Sequence, residues 1–521
     1  MTHRTLDARW SKSGPPLILA IDNGTGGLGV LAVDALSMSV VAGSKSVGYG
    51  IYTRDDGSIK CQPFDAVGAL RQAMADLEER LRSLDQFRGL EPLGNVVAIG
   101  VVGHMHAGVW MGKFGMPVDL ASMWNCPAAH EDGLHLTRQL GQRVARRLTL
   151  SHVRKELRTR PEWWKENVYS ITTPAGFLTW WLTGVNAVGP GEYSGMGLLD
   201  PTNGKPSADR HRCLVQEFGV DLTALAPRCV MPGTGFLRLN RRGLEALGLP
   251  SGTNPVVLAG EGDQIGATEF FRLRPADASG SFGTSGPINC VDDEIRQDEH
   301  LGTDNFRVGT GLRVLNMGLV VNCGAPIEAA AKRYKPQGSF AFINAQAKNV
   351  SMDCDGAVRI ELGAPEDFLG FTKPFTSSVD LPGTLSPGLD AQLAYVQTAM
   401  ITRHRLEMMG RGRANPPSRF VVGGGPAQSD RFLTTLATAL NMDLELPEGA
   451  GEATARGLAD LVAYEEEAMA RVNLGETPPP IEAFLAELRP APRPYTTVPP
   501  DRKWVGKLDV HYQKFVAALA Q

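Results

Sequence analysis

Two aspartates, Asp22 and Asp263, each close a short apolar run and open onto a glycine turn. The first lies in Leu17–Asp34, LILAIDNGTGGLGVLAVD, and the second in Val256–Ala267, VVLAGEGDQIGA. A carboxylate at such a tip can hold a metal ion or take the proton of an attacking hydroxyl. Ending an apolar strand on an aspartate is costly without a partner, which argues against an idle turn at Asp22. At Asp263 a simple helix cap is an equal alternative, and Gln264 beside it offers contacts to hydroxyl groups. Two more glycine turns follow, SFGTSGP over Ser281–Pro287 and FVVGGGPAQSDRF over Phe420–Phe432. Glycine has no Cβ to keep backbone N–H groups away from an anion, so four such turns point to a polyphosphate held between two domains. Gly283, Thr284 and Ser285 combine N–H groups with hydroxyls, a plain hairpin being the alternative. Gly424 and Gly425 precede a helix start near Ser429, which suits a nucleotide.

The first turn literally matches G-x-G-x-x-G over Gly24–Gly29. A dinucleotide fold needs a helix directly after those glycines. Val30-Leu31-Ala32-Val33 follows instead, which is strand-like, so Asn23, Gly24 and Thr25 read as a hairpin tip facing phosphate. Met105 and His106 lie in Gly103–Gly108, GHMHAG, where His104 and His106 alternate. Three readings stand there: hydrogen bonds to a substrate, a metal on one strand face, or a structural pair. Trp124-Asn125 places an aromatic face beside an amide, which suits a polyol, although a tryptophan is often simply core.

The elements that position these groups follow from periodicity. Leu17–Ile21, Leu28–Asp34 and Ser39–Gly48 read as strands, and Phe64–Leu84 as a helix with Val67, Leu70, Met74, Leu77, Leu81 and Leu84 on one side. A strand at Val96–Val102 and a helix at Pro174–Leu182, capped by Gly184, continue the pattern. A second cycle starts near Val256, with a helix at Gln264–Phe271, a hinge at Arg272–Ala276 and a strand at Ala278–Phe282. Strand Phe420–Val422, a turn at Gly423–Gly425 and helices Arg431–Leu440 and Glu452–Ala470 complete it. The proline-rich stretch Thr477–Pro500 is expected to lie extended over the surface. Alternating strands and helices in two cycles indicate an α/β protein of two related halves.

The 521 residues suffice for two or three domains, and 43% apolar with 21% charged content is ordinary for a globular protein. A net charge of −4 gives no reason to expect nucleic acid or an anionic membrane as partner. No apolar run reaches about 18 residues, so no membrane span is expected. The polar start of the chain does not resemble a signal peptide. Seven scattered cysteines without C-x-x-C pairing suggest reduced thiols in a cytoplasmic protein.

In this order the motifs resemble the FGGY carbohydrate kinases, most closely the xylulokinase-like pentulose kinases. Asp22-Asn23-Gly24-Thr25 resembles the family's first phosphate loop, GHMHAG its sugar motif, and Trp124-Asn125 its W-N-D. Gly260–Gly266 resembles G-G-G-D-N. Gly283–Gly286 and Gly423–Ser429 resemble the second phosphate loop and the adenosine loop. Glu452–Gly457 resembles the final E-x-x-A-x-G helix. The resemblance implies two ribonuclease H-like (actin-like ATPase) domains with an interdomain cleft. Residues 1–272 would form the N-terminal domain, with the sugar site and first phosphate loop. Residues 273–521 would form the ATP-binding domain, with the extended tail from about 477. It also implies γ-phosphoryl transfer from ATP to a terminal hydroxyl of a ketopentose, D-xylulose before ribulose, erythritol, glycerol or sedoheptulose. Asp263 would be the base and Asp22 the Mg²⁺ holder. Met105, His106, Trp124, Asn125 and Gln264 would bind sugar, while Asn23, Gly24, Thr25, Gly283, Thr284, Ser285, Gly424, Gly425 and Ser429 would bind nucleotide. Dimers are common in the family. The chain departs from the pattern at Gly29, where a Lys or Arg is usual, and at His104, Cys126 and Glu192. A non-catalytic sugar- or nucleotide-binding relative and a His-x-His metallohydrolase are the other classes.

Overall fold

The valines after the first glycine turn continue as a strand, and the turn is a hairpin. Leu17–Gly24 (β1) runs antiparallel to Gly27–Asp34 (β2), pairing Asp22 with Gly29 and Gly24 with Gly27. The structure is a computed structural model describing residues 14–283, 285–292, 295, 302–308, 313–334, 339–411, 416–488 and 495–520. Val40–Gly43 (β3) pairs with β2 and is shorter than expected, although the chain beyond it stays against β2, with the Ser44 N–H on the Val30 carbonyl and Val47 in an isolated antiparallel bridge with Leu28. Helix Pro63–Ser83 (α1) starts on a proline, whose missing N–H costs nothing there. It buries Val67, Leu70, Met74, Leu77 and Leu81 in one core with Leu17, Leu19 and Ile21 of β1. Val96–Gly103 (β4) runs parallel to β1, as do Val256–Val257 (β5) and Glu261–Gly262 (β6) to β4. Pro174–Thr183 (α2) ends at Gly184, whose φ of +81° supplies the left-handed cap. The short helix Pro190–Gly195 (α3) and helix Asp263–Phe271 (α4) complete the surroundings of these strand ends.

The chain divides into two compact units. One takes the chain through Arg272, Asn305–Val314 and a segment from Glu452; the other takes Leu273–Asp304, Leu315–Gly451 and the C-terminal stretch. Both Arg272 and Ala276, at the first change of unit, have positive φ.

The second unit repeats the plan of the first. Asp277–Phe282 (β7) is antiparallel to Gly286–Asp292 (β8), which neighbours Arg313–Val320 (β9). Helices Ala325–Arg333 (α5) and Pro387–Gly410 (α6) follow. Arg419–Gly424 (β10) is parallel to β7, Asp430–Leu440 (α7) crosses over, and Leu444–Pro447 (β11) is parallel to β10. The orders β3-β2-β1-β4-β5 and β9-β8-β7-β10-β11 are therefore the same ribonuclease H-like arrangement, met once in each unit. Gly423 and Gly424 finish β10 instead of forming the expected turn.

Helix Ala453–Asn473 (α8) returns to the first unit and packs on α4 so closely that a Cβ on Gly457 would lie 1.8 Å from the Gly266 carbonyl oxygen. The expectation of an extended tail from about 477 is corrected. Ile481–Leu488 (α9) is a helix burying Ile481, Phe484 and Leu485, and Tyr495–Val498 (β12) pairs with β11. Pro478, Pro479 and Pro480 stand before the helix, where they delimit its start. Val505–Leu519 (α10) closes the chain.

Candidate active site

In the first unit, β1, β4 and β6 end side by side. Asp22 is in register with Val102 of β4, and Val102 with Glu261 of β6. One rung further, Asn23, Gly103 and Gly262 align, and Asp263 follows at the first position of α4. The two aspartates thus flank one strand at the carboxyl end of the parallel sheet, the edge at which α/β sheets take ligands.

Asp263 receives the N–H of Gln264 on Oδ1 at 2.8 Å and that of Met105. Burial nevertheless raises its carboxyl to about 6, with those N–H bonds holding it back. Asp22 rises to about 7, first by burial and then through repulsion from Asp263. An acid whose ionisation a neighbouring acid opposes is a fitting place for a divalent cation, which favours the ionised form. The cap position itself is taken by Gly262 without a side-chain bond, and Asp263, first in the helix, accepts the N–H of the next residue from its own helix.

A second pair of acids lies behind. Glu261 accepts three N–H bonds, from Gly191 at 3.2 Å, Glu192 at 2.8 Å and Gly262 at 3.2 Å, and burial still brings it to about 7. Glu192 is fully buried, and neither carboxyl oxygen meets a hydrogen bond of normal geometry. Burial lifts it well above the ordinary glutamate range, and the Thr173 hydroxyl only tempers that rise. Its carboxyl lies against Gly262, where an added Cβ would come 3.0 Å from Oε2 and 2.5 Å from Met105 Sδ.

Met105 and His106 sit just past the end of β4, both buried. His106 adopts φ +75°, rare for a residue with a side chain and a mark of a constrained site. Its Nδ1 lies 2.8 Å from the Gly195 carbonyl, which can only accept, so the proton is on Nδ1 and Nε2 carries a bare lone pair. Burial lowers His106 to about 3 and His104 to about 4, so both rings are neutral. The strand-face metal reading fails, because the chain leaves β4 at Gly103 and the two rings do not share a strand face. No group of three metal-ligating side chains occurs among the described residues.

At the hairpin tip, the Trp124 Nε1–H donates to Thr25 Oγ1 at 3.0 Å. The Tyr49 hydroxyl faces Asn23 Oδ1, at 3.0 Å, and the Gly24 carbonyl. Asn125 is exposed, and Gln264 is half-buried at the start of α4.

In the second unit, Phe282 of β7 is in register with Gly424 of β10, so Gly283 and Gly425 leave the sheet from neighbouring strand ends. Gly424 has φ +95°, and a Cβ there would lie 2.1 Å from the Phe282 carbonyl oxygen. The Gly283 N–H bonds to the Ser285 carbonyl at 3.2 Å, and its own carbonyl accepts from Gly324 at 2.8 Å. Thr284 lies outside the described residues. The Ser429 hydroxyl caps α7, accepting the Phe432 N–H at 3.2 Å and donating to Asn344 at 2.8 Å, so its structural task accounts for its proton.

Residues 17–268 match the model of the FGGY family of carbohydrate kinases, N-terminal domain. Over these residues the chain carries the N-terminal domain of that family. Among curated proteins, a xylulose kinase of Streptomyces coelicolor is 26% identical over 328 residues, covering 61% of this chain and 62% of that relative. The match thus spans less than two-thirds of the relative's length. Among solved structures, a ligand-bound xylulose kinase from Lactobacillus acidophilus has a TM-score of 0.79 at 14% identity, covering 96% of this chain and 97% of that one. A Plasmodium falciparum glycerol kinase with ADP has 0.75 at 13% identity, covering 96% and 97%. At such identities the likeness fixes the fold, and that fold is actin-like.

Within the first unit, four residues around the aspartates had not been assigned a place from sequence. Glu261 was visible in G-E-G-D as a second acid, but only the fold shows it turned back onto α3. Glu192 stood out as a departure from the family pattern without a role. Tyr49 gives no local signal, because its partner is across the sheet. Phe306, whose ring lies 5.2 Å from that of His106, comes from a distant stretch of chain that rejoins the first unit.

Proposed function

We propose that the protein is an ATP-dependent sugar kinase that phosphorylates a terminal hydroxyl of a ketopentose, D-xylulose being the best candidate. The single observation that carries this is the pair Asp22 and Asp263 flanking β4 at the ligand edge of the sheet. The names of the curated relative and of the solved neighbours support a sugar or polyol acceptor.

Asp263 accepts the hydroxyl proton as the oxygen attacks the γ-phosphorus, the bond to the β-phosphate oxygen breaks and ADP leaves. With a carboxyl near 6, Asp263 is largely ionised at neutral pH yet basic enough to take a proton. His106 accepts a sugar hydroxyl proton on Nε2, Met105 packs on carbon-bound hydrogens, and the Trp124 face covers one side of the sugar. Asn125 and Gln264 offer amides to the remaining hydroxyls. Asn23, Gly24 and Thr25 in the first unit meet phosphate. Gly283, Thr284, Ser285, Gly424, Gly425 and Ser429 in the second serve the nucleotide, Ser429 by capping α7. Asp22 would hold Mg²⁺, which supplies charge neutralisation on the phosphates. The product would be D-xylulose 5-phosphate.

The test is ADP release from Mg-ATP with a panel of ketoses and polyols, including D-xylulose, ribulose, erythritol and glycerol. Release that depends on one of them names the acceptor. ATP binding without release on any of them would favour a non-catalytic role and end the kinase proposal.

A further inference from the structure

The hydrogen bond from Trp124 to Thr25 joins two groups assigned to different ligands. Trp124 belongs to the sugar side and Thr25 to the phosphate side, and 3.0 Å separates Nε1 from Oγ1. Thr25 and Gly26 form the two-residue tip between β1 and β2, as the pairing of Gly24 with Gly27 requires. Trp124 stands just beyond the short strand Ala121–Ser122 and packs against the core of the first unit. The indole is therefore held from behind, while its N–H reaches the hairpin tip.

A threonine hydroxyl has one proton and two lone pairs, and an indole N–H can only donate. The bond therefore fixes the hydroxyl in the acceptor sense toward Trp124. Its own proton points elsewhere, ready to be given away. Phosphate oxygens accept and do not donate, so this is the orientation that a phosphate needs from Thr25. While the indole bond holds, the proton cannot turn toward Trp124 and must take one of the remaining directions.

We infer that Trp124 is a positioning residue for the phosphate loop: it aims the Thr25 hydroxyl at the transferring phosphoryl group, and a sugar resting on the indole couples acceptor binding to that aim. The inference rests on the sugar-kinase reading above. Coupling of this kind is reciprocal, so a bound nucleotide analogue tightens sugar binding as much as sugar tightens the analogue.

The test uses the full-length protein with Trp124→Phe, Thr25→Val, Thr25→Ser and the double variant Trp124→Phe/Thr25→Val. Phenylalanine keeps an aromatic face and loses the N–H. Sugar affinity of Trp124→Phe, measured calorimetrically without nucleotide, is expected within about threefold of wild type. Its kcat is expected to fall about five- to tenfold, the loss of one neutral hydrogen bond. The tightening of sugar by the Mg complex of a non-hydrolysable ATP analogue is expected to shrink toward none. Thr25→Ser, which keeps the hydroxyl, should retain the coupling, and the double variant should be no worse than Thr25→Val alone. Additive losses in the double variant, or a Trp124→Phe protein that loses sugar affinity with kcat and coupling intact, would overturn the inference. Failure of the parent reading looks different: wild type itself would then show no sugar-dependent ADP release.

Discussion

Replacing Asp263 by Asn keeps the shape of the side chain and removes its basicity. Asn retains an oxygen that can keep the Gln264 N–H bond now made to Oδ1, so the start of α4 should stay in place. What is lost is the proton acceptor, and general-base loss of this kind lowers turnover by at least ~100-fold. Sugar affinity, which in the proposed assignment also draws on Met105, His106 and Trp124, should change by no more than about an order of magnitude. The pH dependence sharpens the test. A carboxyl at about 6 is almost wholly ionised at pH ~7.5 and about one-tenth ionised at pH ~5. Wild-type kcat/KM should therefore fall about tenfold over that range from Asp263 alone. At low Mg²⁺, protonation of Asp22 near 7 should steepen the fall, because only the ionised form attracts the cation. Saturating Mg²⁺ should remove that added steepness. The assay is coupled ADP release across pH at two Mg²⁺ concentrations. Near-normal turnover in Asp263→Asn, or an undiminished acid limb near pH 6 in its residual activity, would refute the assignment of the base.

Three further outcomes are expected. Gly29→Lys places an ammonium beside Asp22, its cross-strand partner, in open space, so the variant should fold normally and lower KM for ATP; an unchanged KM would show that no cation is wanted there. Gly424→Ala forces a methyl group into the Phe282 carbonyl at a positive φ, and should destabilise the second unit by about 1–3 kcal/mol or more, read as a lower Tm. Glu192, with its folded carboxyl raised, contributes stability that is complete below the ordinary glutamate range and lost as pH rises through its raised value. Glu192→Gln should therefore lift Tm relative to wild type more at pH 8 than at pH 5, and an equal shift at both values would show that burial of this acid is not felt.

The hairpin at Gly24–Gly27 was legible because the sequence after it is apolar and β-branched, which settles strand against helix without any distant contact. The strand ends bearing Asp22 and Asp263 were legible for the same reason. The tail was misjudged because prolines around Thr477–Pro480 masked the helical spacing of Ile481, Phe484 and Leu485, three apolar residues that reappear on one buried face. Phe306 against His106 and Glu261 beneath α3 are contacts between residues far apart in sequence. No local pattern encodes them, so the site's second row of residues had to wait for the fold. Ser429 was legible as a helix start, and its hydroxyl accepts the Phe432 N–H while donating to Asn344, a partner far away in sequence that no local pattern announces.

The close seam between Gly266 of α4 and Gly457 of α8 sets an order of events during synthesis. The helix that begins with Asp263 leaves the ribosome well before the helix that braces it, which begins only at Ala453. Until then the first sheet also lacks the face that Ala455, Leu458, Ala459 and Val462 supply to Ile18, Ala20 and Val102. A nascent chain stopped between Phe271 and Glu452 would carry every acid of the candidate site and no finished scaffold to hold them. Early-released fragments should accordingly be inactive and sticky, and competence should arrive only once α8 has emerged.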